Sequence, residues 1–64
     1  MCLSTAYARI ISDETVMLRS VQRLRIDGET VILTDLLERE TRVAGRLAMA
    51  DLVNGIVIID TEEF

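Results

Sequence analysis

The sequence has no histidine, no lysine and no proline, and its single cysteine is at position 2. One cysteine excludes a disulfide within the chain, and without histidine the chain cannot build a structural zinc site from several Cys and His residues. The side chains that most often move protons or activate a nucleophile near neutral pH are therefore almost absent. These absences argue against an enzyme, and we predict no catalytic residue.

Long apolar runs are also missing. No stretch approaches the ~20 residues of a membrane span, and the N-terminus lacks the basic segment and apolar core of a secretory signal. A lone thiol suits a reducing compartment, where it stays a thiol. We therefore expect a cytoplasmic protein with no membrane contact.

The chain is short but apolar. Its 64 residues, half of them hydrophobic, form a single domain (1–64). A chain of this size buries only about 60% of the surface that its unfolded form exposes, so its stability needs help. Because disulfides and zinc are excluded, we predict that the help comes from a second copy, as a homodimer.

The charge balance is acidic. Seven basic residues, all arginines, oppose eleven acidic ones, giving a net charge of −4. The first 32 residues carry four charges of each sign, so the whole excess lies in the second half. An acidic half repels phosphate backbones, which disfavours nucleic acid as a partner.

Alternating side chains and turn signals predict an all-β fold. Asp27-Gly28 and Asn54-Gly55 are the strongest hairpin signals, and the β-branched run at 30–35 indicates a strand buried on both faces. We predict a small barrel-like or strongly bent antiparallel sheet of six to seven short strands, with a frayed acidic tail at 61–64. The predicted strands are 2–11, 15–18, 21–27, 30–35, 40–44, 46–52 and 56–60.

A helix over 35–49 is the alternative to the turn at 36–38 and to the fifth and sixth of these strands. Residues 36–40 are compatible with a helix, and 44–50 is rich in Ala, Leu and Met. Thr41, Val43 and Gly45 interrupt it, however, and its apolar spacing is poorly helical. We therefore favour strands.

Cys2 is the one candidate for chemistry. Removal of Met1, which is usual before a small residue, would make Cys2 the first residue, whose α-amine and thiolate can chelate one metal ion. Two copies around a two-fold axis would supply two nitrogens and two sulfurs to a shared ion. Square-planar donors favour Ni(II) or Cu(II), whereas a tetrahedral arrangement favours zinc or Cu(I). The alternative is an inert thiol at the start of a strand.

The sequence resembles the CooT family over Cys2 to about Asp60. The resemblance lies in Met1-Cys2-Leu3-Ser4, in the segment Val31-Ile32-Leu33-Thr34-Asp35-Leu36 before an acidic turn, and in 45–52 followed by 56–59. CooT proteins are small nickel-binding accessory proteins linked to carbon monoxide dehydrogenase maturation. They are also catalogued as predicted RNA-binding proteins.

The resemblance implies a homodimer of small β-barrel subunits with Ni(II) held between the chains by the residue that matches Cys2. A nickel enzyme or its maturation machinery is the implied partner. No second ligand transfers, because the sequence has no histidine. Together with the chelating groups of Cys2, the resemblance therefore predicts a nickel-binding accessory protein or metallochaperone.

Two other functions compete. RNA binding would use Arg19, Arg23 and Arg25 as contacts, but the chain offers only Tyr7 and Phe64 as stacking residues, and acidic neighbours favour ion pairs. A metal-free adaptor would recruit a larger partner through an exposed apolar edge. We rank both below nickel binding.

Overall fold

A computed structural model describes residues 3–64, so Met1 and Cys2, the second of which begins the predicted first strand, lie outside it. Its six strands form one mixed sheet in the order β4-β3-β2-β1-β6-β5, which is strongly bent but not closed. The all-β prediction and the predicted number of strands are confirmed. The elements are β1 (Ser4–Ala8), a 3₁₀ turn (Asp13–Thr15), β2 (Val16–Asp27), β3 (Thr30–Asp35), β4 (Glu40–Ala44), β5 (Arg46–Asp51) and β6 (Ile56–Asp60).

Strand β1 shows the predicted alternation. Ser4, Ala6 and Ala8 point inward and are buried. The strand ends before the predicted residue 11 because Arg9 adopts a left-handed φ of 69°, and the Ile10 N–H donates to the Ala8 carbonyl in a tight turn. Small inward side chains leave room for the neighbouring strands to curl over β1.

Strand β2 bends the sheet. The sequence predicts two strands separated by a bulge, and the structure has one long strand with a sharp bend at that place: Ser20 has a φ of 58°, and the register shifts between Val21 and Arg23. The half before the bend pairs with β1, and the half after it pairs with β3. One strand thus serves two faces of the bent sheet.

The β2–β3 hairpin turns at Asp27-Gly28 as predicted, with Gly28 at a φ of 61°. Strand β3 is buried on both faces, as its β-branched run predicts. Val31 and Leu33 enter the core, while Ile32 lies on the opposite face between its register partners on β2 and β4. This strand is the centre of the fold.

The helical alternative over 35–49 is wrong. That segment contains β4 and most of β5, which form the two edges of the sheet and are joined by Gly45 alone. A Cβ at Gly45 would overlap the carbonyl oxygen of Asp60, so only glycine fits. The helix propensity of the Ala-rich stretch is overridden by strand pairing on both sides of this glycine.

Strands β1 and β6 pair in parallel, whereas the sequence predicts an antiparallel sheet. The other four neighbouring pairs are antiparallel. The chain passes from one edge of the sheet to the other at Gly45, between β4 and β5. Strand β5 then turns back into β6, which lies beside β1 and runs in the same direction. The described residues contain no helix long and apolar enough to span a membrane.

Residues 61–64 pack against the sheet at its far end. Thr61 is buried, and its hydroxyl donates to the Ala44 carbonyl at 2.7 Å. The Arg9 guanidinium donates to the carbonyls of Thr61 and, at 2.6 Å, of Phe64. These hydrogen bonds oppose the fraying that the composition predicts, and fraying of the segment stays a prediction.

Candidate metal site at the chain start

The described chain begins at one end of the bent sheet. Ser4 is buried between its register partner Val21 on β2 and strand β6, and the Thr5 N–H donates to the Gly55 carbonyl at 2.9 Å. Leu3, one residue earlier, is 37% exposed, and its carbonyl lies against Gly55. Residues 3–5 are therefore held beside the turn that joins β5 to β6.

That turn, residues 52–55, is fixed from within. The Asp51 carboxylate accepts hydrogen bonds from the Asn54 backbone N–H at 3.1 Å and from the Asn54 side-chain amide at 2.7 Å. The side-chain hydrogen bond, followed by the backbone one, holds the pKa of Asp51 below its ordinary value. Asp51 is thus ionised at neutral pH and already engaged by its own turn.

The turn exposes apolar side chains where polar ones are usual. Leu52 is 69% exposed and Val53 is 90% exposed, the highest value among the large hydrophobic residues that the structure describes. They lie in the turn whose Gly55 is close to the Leu3 carbonyl. Nothing within the turn requires these side chains to be apolar.

An open cleft of about 470 Å³ lies beside this turn, between β5 and the second half of β2. Its apolar walls lead into the core, and Arg23 lies at its rim with its guanidinium 3.9 Å from the Glu38 carboxylate. We call the cleft together with Leu3, Leu52 and Val53 the chain-start face. The cleft is lined by Ser4, Val21, Gln22, Arg23, Leu24, Leu47, Ala50, Leu52 and Val57.

Cys2, the predicted metal ligand, lies outside the described residues, one peptide bond before Leu3. Within residues 3–64, no three His, Cys, Asp or Glu side chains come together as a metal site. The nickel ligand and the cofactor predicted from the sequence both stay predictions.

The three arginines proposed as RNA contacts do not form one stripe. Arg23 and Arg25 lie on the second half of β2, whereas Arg19 lies before the bend, in a shallow depression with Arg39 and Leu36. The ion pair between Arg23 and Glu38 is exposed on both sides, as in the solvated pairs that the interleaved charges predict. The bend in β2 separates charges that the sequence places close together.

A buried carboxylate not foreseen from the sequence holds the β3–β4 turn. Asp35 accepts hydrogen bonds from the N–H groups of Leu37, at 2.9 Å, and Arg39, at 3.0 Å, and from the Arg39 guanidinium at 2.8 Å. The backbone hydrogen bond from Arg39 is the largest cause of a pKa below the ordinary value for Asp35, and burial opposes it. An Asp at the end of a strand, two residues before a turn N–H, is the signal for this Asx turn.

The chain-start face was likewise missed by the sequence reasoning. Its signal is the pair Leu52-Val53 placed directly before Asn54-Gly55, inside a turn. Two large apolar residues in a turn are not explained by the hairpin itself. The pair therefore predicts an exposed apolar patch at this turn, as the structure shows.

These features define a small all-β domain made of one strongly bent sheet. Residues 1–60 match the family model described as CO dehydrogenase accessory protein CooT, and the chain therefore belongs to the CooT family. The description is that of an accessory protein of CO dehydrogenase, a role distinct from the catalyst itself. The family predicted from the sequence is thus confirmed.

The fold is shared with a solved structure. The crystal structure of a protein described as CooT from Carboxydothermus hydrogenoformans superposes with a TM-score of 0.80, covering 97% of this chain and all of that one, at 18% sequence identity. No curated protein matches the sequence closely enough to count as a relative. At 18% sequence identity, this structural match shows a shared fold and nothing further.

Proposed function

We propose that the protein carries Ni(II) as an accessory factor of CO dehydrogenase maturation, as a cytoplasmic homodimer that shares one ion between two Cys2 residues. The observation that carries the proposal is the family match over residues 1–60, which includes Cys2. The nickel is cargo, and the receiving partner is CO dehydrogenase or its maturation machinery. The matched family is defined by that accessory role.

The donor set of a first-residue cysteine suits Ni(II). After removal of Met1, the α-amine and thiolate of Cys2 close a five-membered chelate ring, and the next backbone nitrogen, that of Leu3, can join them when deprotonated. Two copies present nitrogen and sulfur donors in a square-planar arrangement, the geometry that Ni(II) and Cu(II) prefer. Thiolate ligation makes the site selective for soft and borderline metals.

The position of the chain start supports a shared ion. Strand β1 is anchored between β2 and β6 from Ser4 onward, so in the sequence only Leu3 stands between Cys2 and the sheet. Leu3 is 37% exposed, so the described domain begins at its surface, where a second copy can approach.

The test is a nickel titration of Cys2→Ser under reducing conditions, followed by native mass spectrometry. We expect the wild type to bind one nickel per dimer and the variant to bind none while remaining a dimer, because serine does not supply a thiolate near neutral pH. Wild-type affinity should rise with pH as thiol and amine lose their protons. The same spectra report whether Met1 is removed.

Met17→Leu is the matched control, since it removes another sulfur from a partly buried position on β2 and should leave nickel stoichiometry unchanged. Retention of one nickel per dimer by Cys2→Ser would defeat the proposal.

A further inference from the structure

We propose that the depression between the bend of β2 and the β3–β4 turn docks a partner protein, through a partner segment in which carboxylates lie next to large apolar side chains. We call this surface the bend depression. Its lining includes three apolar and two basic side chains, those of Leu18, Leu36, Leu37, Arg19 and Arg39. The inference deepens the proposed function and rests on it for the existence of a receiving partner, whose recognition it describes.

The bend depression, of about 400 Å³, contains apolar side chains that folding leaves open to water. Leu36 is 55% exposed and Leu37 is 69% exposed, in a turn where polar residues are usual. The turn itself is closed by N–H groups that donate to the Asp35 carboxylate, which needs no apolar side chain at either position. A partner that covers the two leucines removes them from water, so the docked segment must be apolar in part.

The charge of the bend depression is opposite in sign to that of the whole chain. Arg19 forms no ion pair within residues 3–64. Arg39 contacts Asp35 through Nε at 2.8 Å, and 71% of its side chain stays exposed. Two arginines and one aspartate give the lining a net charge of +1, in a chain of net charge −4. A carboxylate-bearing segment is therefore attracted here and repelled by most of the remaining surface.

Nucleic acid is the other anionic partner that arginines could take. Single-stranded RNA is usually held by aromatic side chains on which its bases stack, and no aromatic residue lines the bend depression in the part of the chain that the structure describes. The exposed side chains between the two arginines are leucines instead. Leucine next to arginine fits a protein segment with apolar and acidic side chains.

The bend depression is formed before any partner binds. Ser20 in its lining and Glu38 in the adjoining turn both have a left-handed φ, of 58° and 64°. The Glu38 carboxylate accepts a hydrogen bond from the Gln22 side-chain amide and lies 3.9 Å from the Arg23 guanidinium. These contacts tie the β3–β4 turn to β2 beyond the bend. A surface with a fixed backbone loses little conformational entropy on docking, which favours recognition.

The location suits the transfer of a metal ion to the docked partner. Val21 is the register partner of both Ser4 on β1 and Asp35 on β3. At ~4.8 Å between neighbouring strands, the Cα atoms of Ser4 and Asp35 are therefore at most about 10 Å apart. A partner in the bend depression thus lies at the end of the sheet where β1 begins.

The test is a titration of the ¹⁵N-labelled full chain with two synthetic twelve-residue peptides, followed by NMR. One peptide repeats Leu-Glu-Glu, and the matched one repeats Leu-Lys-Lys. We expect the acidic peptide to shift the amide signals of Arg19, Leu36 and Leu37, and to bind at least about tenfold more tightly than the basic peptide. A twelve-residue oligouridylate, titrated in the same way, should bind more weakly than the acidic peptide.

Two variants of the bend depression have matched controls elsewhere on β2. Arg19→Glu should weaken binding of the acidic peptide at least about tenfold, whereas Arg25→Glu should stay within about threefold, since Arg25 also forms no ion pair within residues 3–64 but lies outside the depression. Leu37→Ser should weaken binding at least about fivefold. Its control is Ile26→Ser, which changes a side chain that is 54% exposed and should leave the affinity unchanged.

Circular dichroism of each variant reports the fold, which substitutions of exposed side chains leave intact. Equal binding of the two peptides, or an affinity that Arg19→Glu and Leu37→Ser both leave unchanged, would overturn the inference. So would tighter binding of the oligouridylate, which would assign the surface to nucleic acid, or a dimer that Leu37→Ser dissociates, which would show that a second copy covers the leucines. Nickel stoichiometry of the wild type is measured separately. Peptide binding by a chain that takes up no nickel would sustain the docking surface and refute the metal, and nickel uptake without peptide binding would do the reverse.

Discussion

Strands β3 and β5 have six residues each and both end in aspartate, yet they occupy opposite environments. Strand β3 has neighbours on both sides and is buried on both faces, whereas β5 pairs only with β6 and is largely exposed. Each aspartate holds the turn that follows it, through hydrogen bonds from Leu37 and Arg39 in one case and from Asn54 in the other. Fold stability is thus concentrated at β3.

The contrast between β3 and β5 separates apolar side chains that are buried within one protomer from those that stay exposed. The apolar side chains of β3 are accounted for by contacts within the protomer, since Val31 and Leu33 are fully buried. The apolar residues at the end of β5 are not, because Leu52 and Val53 remain exposed. The first set is explained by folding, and the second is left exposed by it.

The largest expected effect comes from truncating one core leucine in each strand. Leu33→Ala should cost about 3 kcal/mol of unfolding free energy, because the side chain is fully buried and leaves a cavity. Leu47→Ala on β5 should cost about 1 kcal/mol, because that side chain is only half-buried. Urea denaturation at one protein concentration gives both values. Equal costs would break the contrast between the strands.

The terminal aspartates should differ in the same direction by a smaller amount. Asp35→Asn places an amide NH₂ against the Arg39 guanidinium, which has only donors, so we expect the melting temperature to fall by roughly 5 °C. Asp51→Asn should lower it by roughly 2 °C or less, because the Asn54 amide can flip to offer an acceptor. Differential scanning fluorimetry measures both. A larger drop for Asp51→Asn would reverse the comparison.

Acid should reveal the smallest difference. The folded pKa of both carboxyl groups lies below the ordinary value, so each contributes stability that is present above pH ~4 and lost as pH falls through the folded pKa. We expect the melting temperature to fall with acid below pH ~4, and to fall less in Asp35→Asn than in the wild type. A melting series from pH 7 to pH 2 tests this. An unchanged acid slope in Asp35→Asn would show that its turn is not held by the ionised form.

Local chemistry accounts for the parts of the fold that the sequence predicts correctly. Three features depend on neighbouring residues alone and could therefore be predicted from the sequence. They are the positive φ of Gly28, the β-branched run of β3 and the alternation of β1. The acidic turn after β3 was also expected. Its Asp35 cluster went unnoticed because the sequence shows an aspartate at a strand end but not its burial.

The parts of the fold and of the candidate site that depend on contacts between distant segments could not be predicted from the sequence. The parallel pairing of β1 with β6 joins segments some fifty residues apart, and no turn signal marks it. The bend at Ser20 separates Arg19 from Arg23 and Arg25, and the cleft of the chain-start face exists only when β2 and β5 are brought together. The candidate ligand Cys2 was found from its position and from family resemblance.

Gly45 has a consequence for how the molecule can vary. Gly45 alone joins β4 and β5, the two edge strands of the sheet. The distance between the two edges is therefore limited to what a one-residue connection can span. An inserted residue would turn Leu47 from the interior to solvent and Ala48 inward, and would reverse every later side chain of β5. Natural changes of length should therefore fall in the turns elsewhere, and this junction should keep its span.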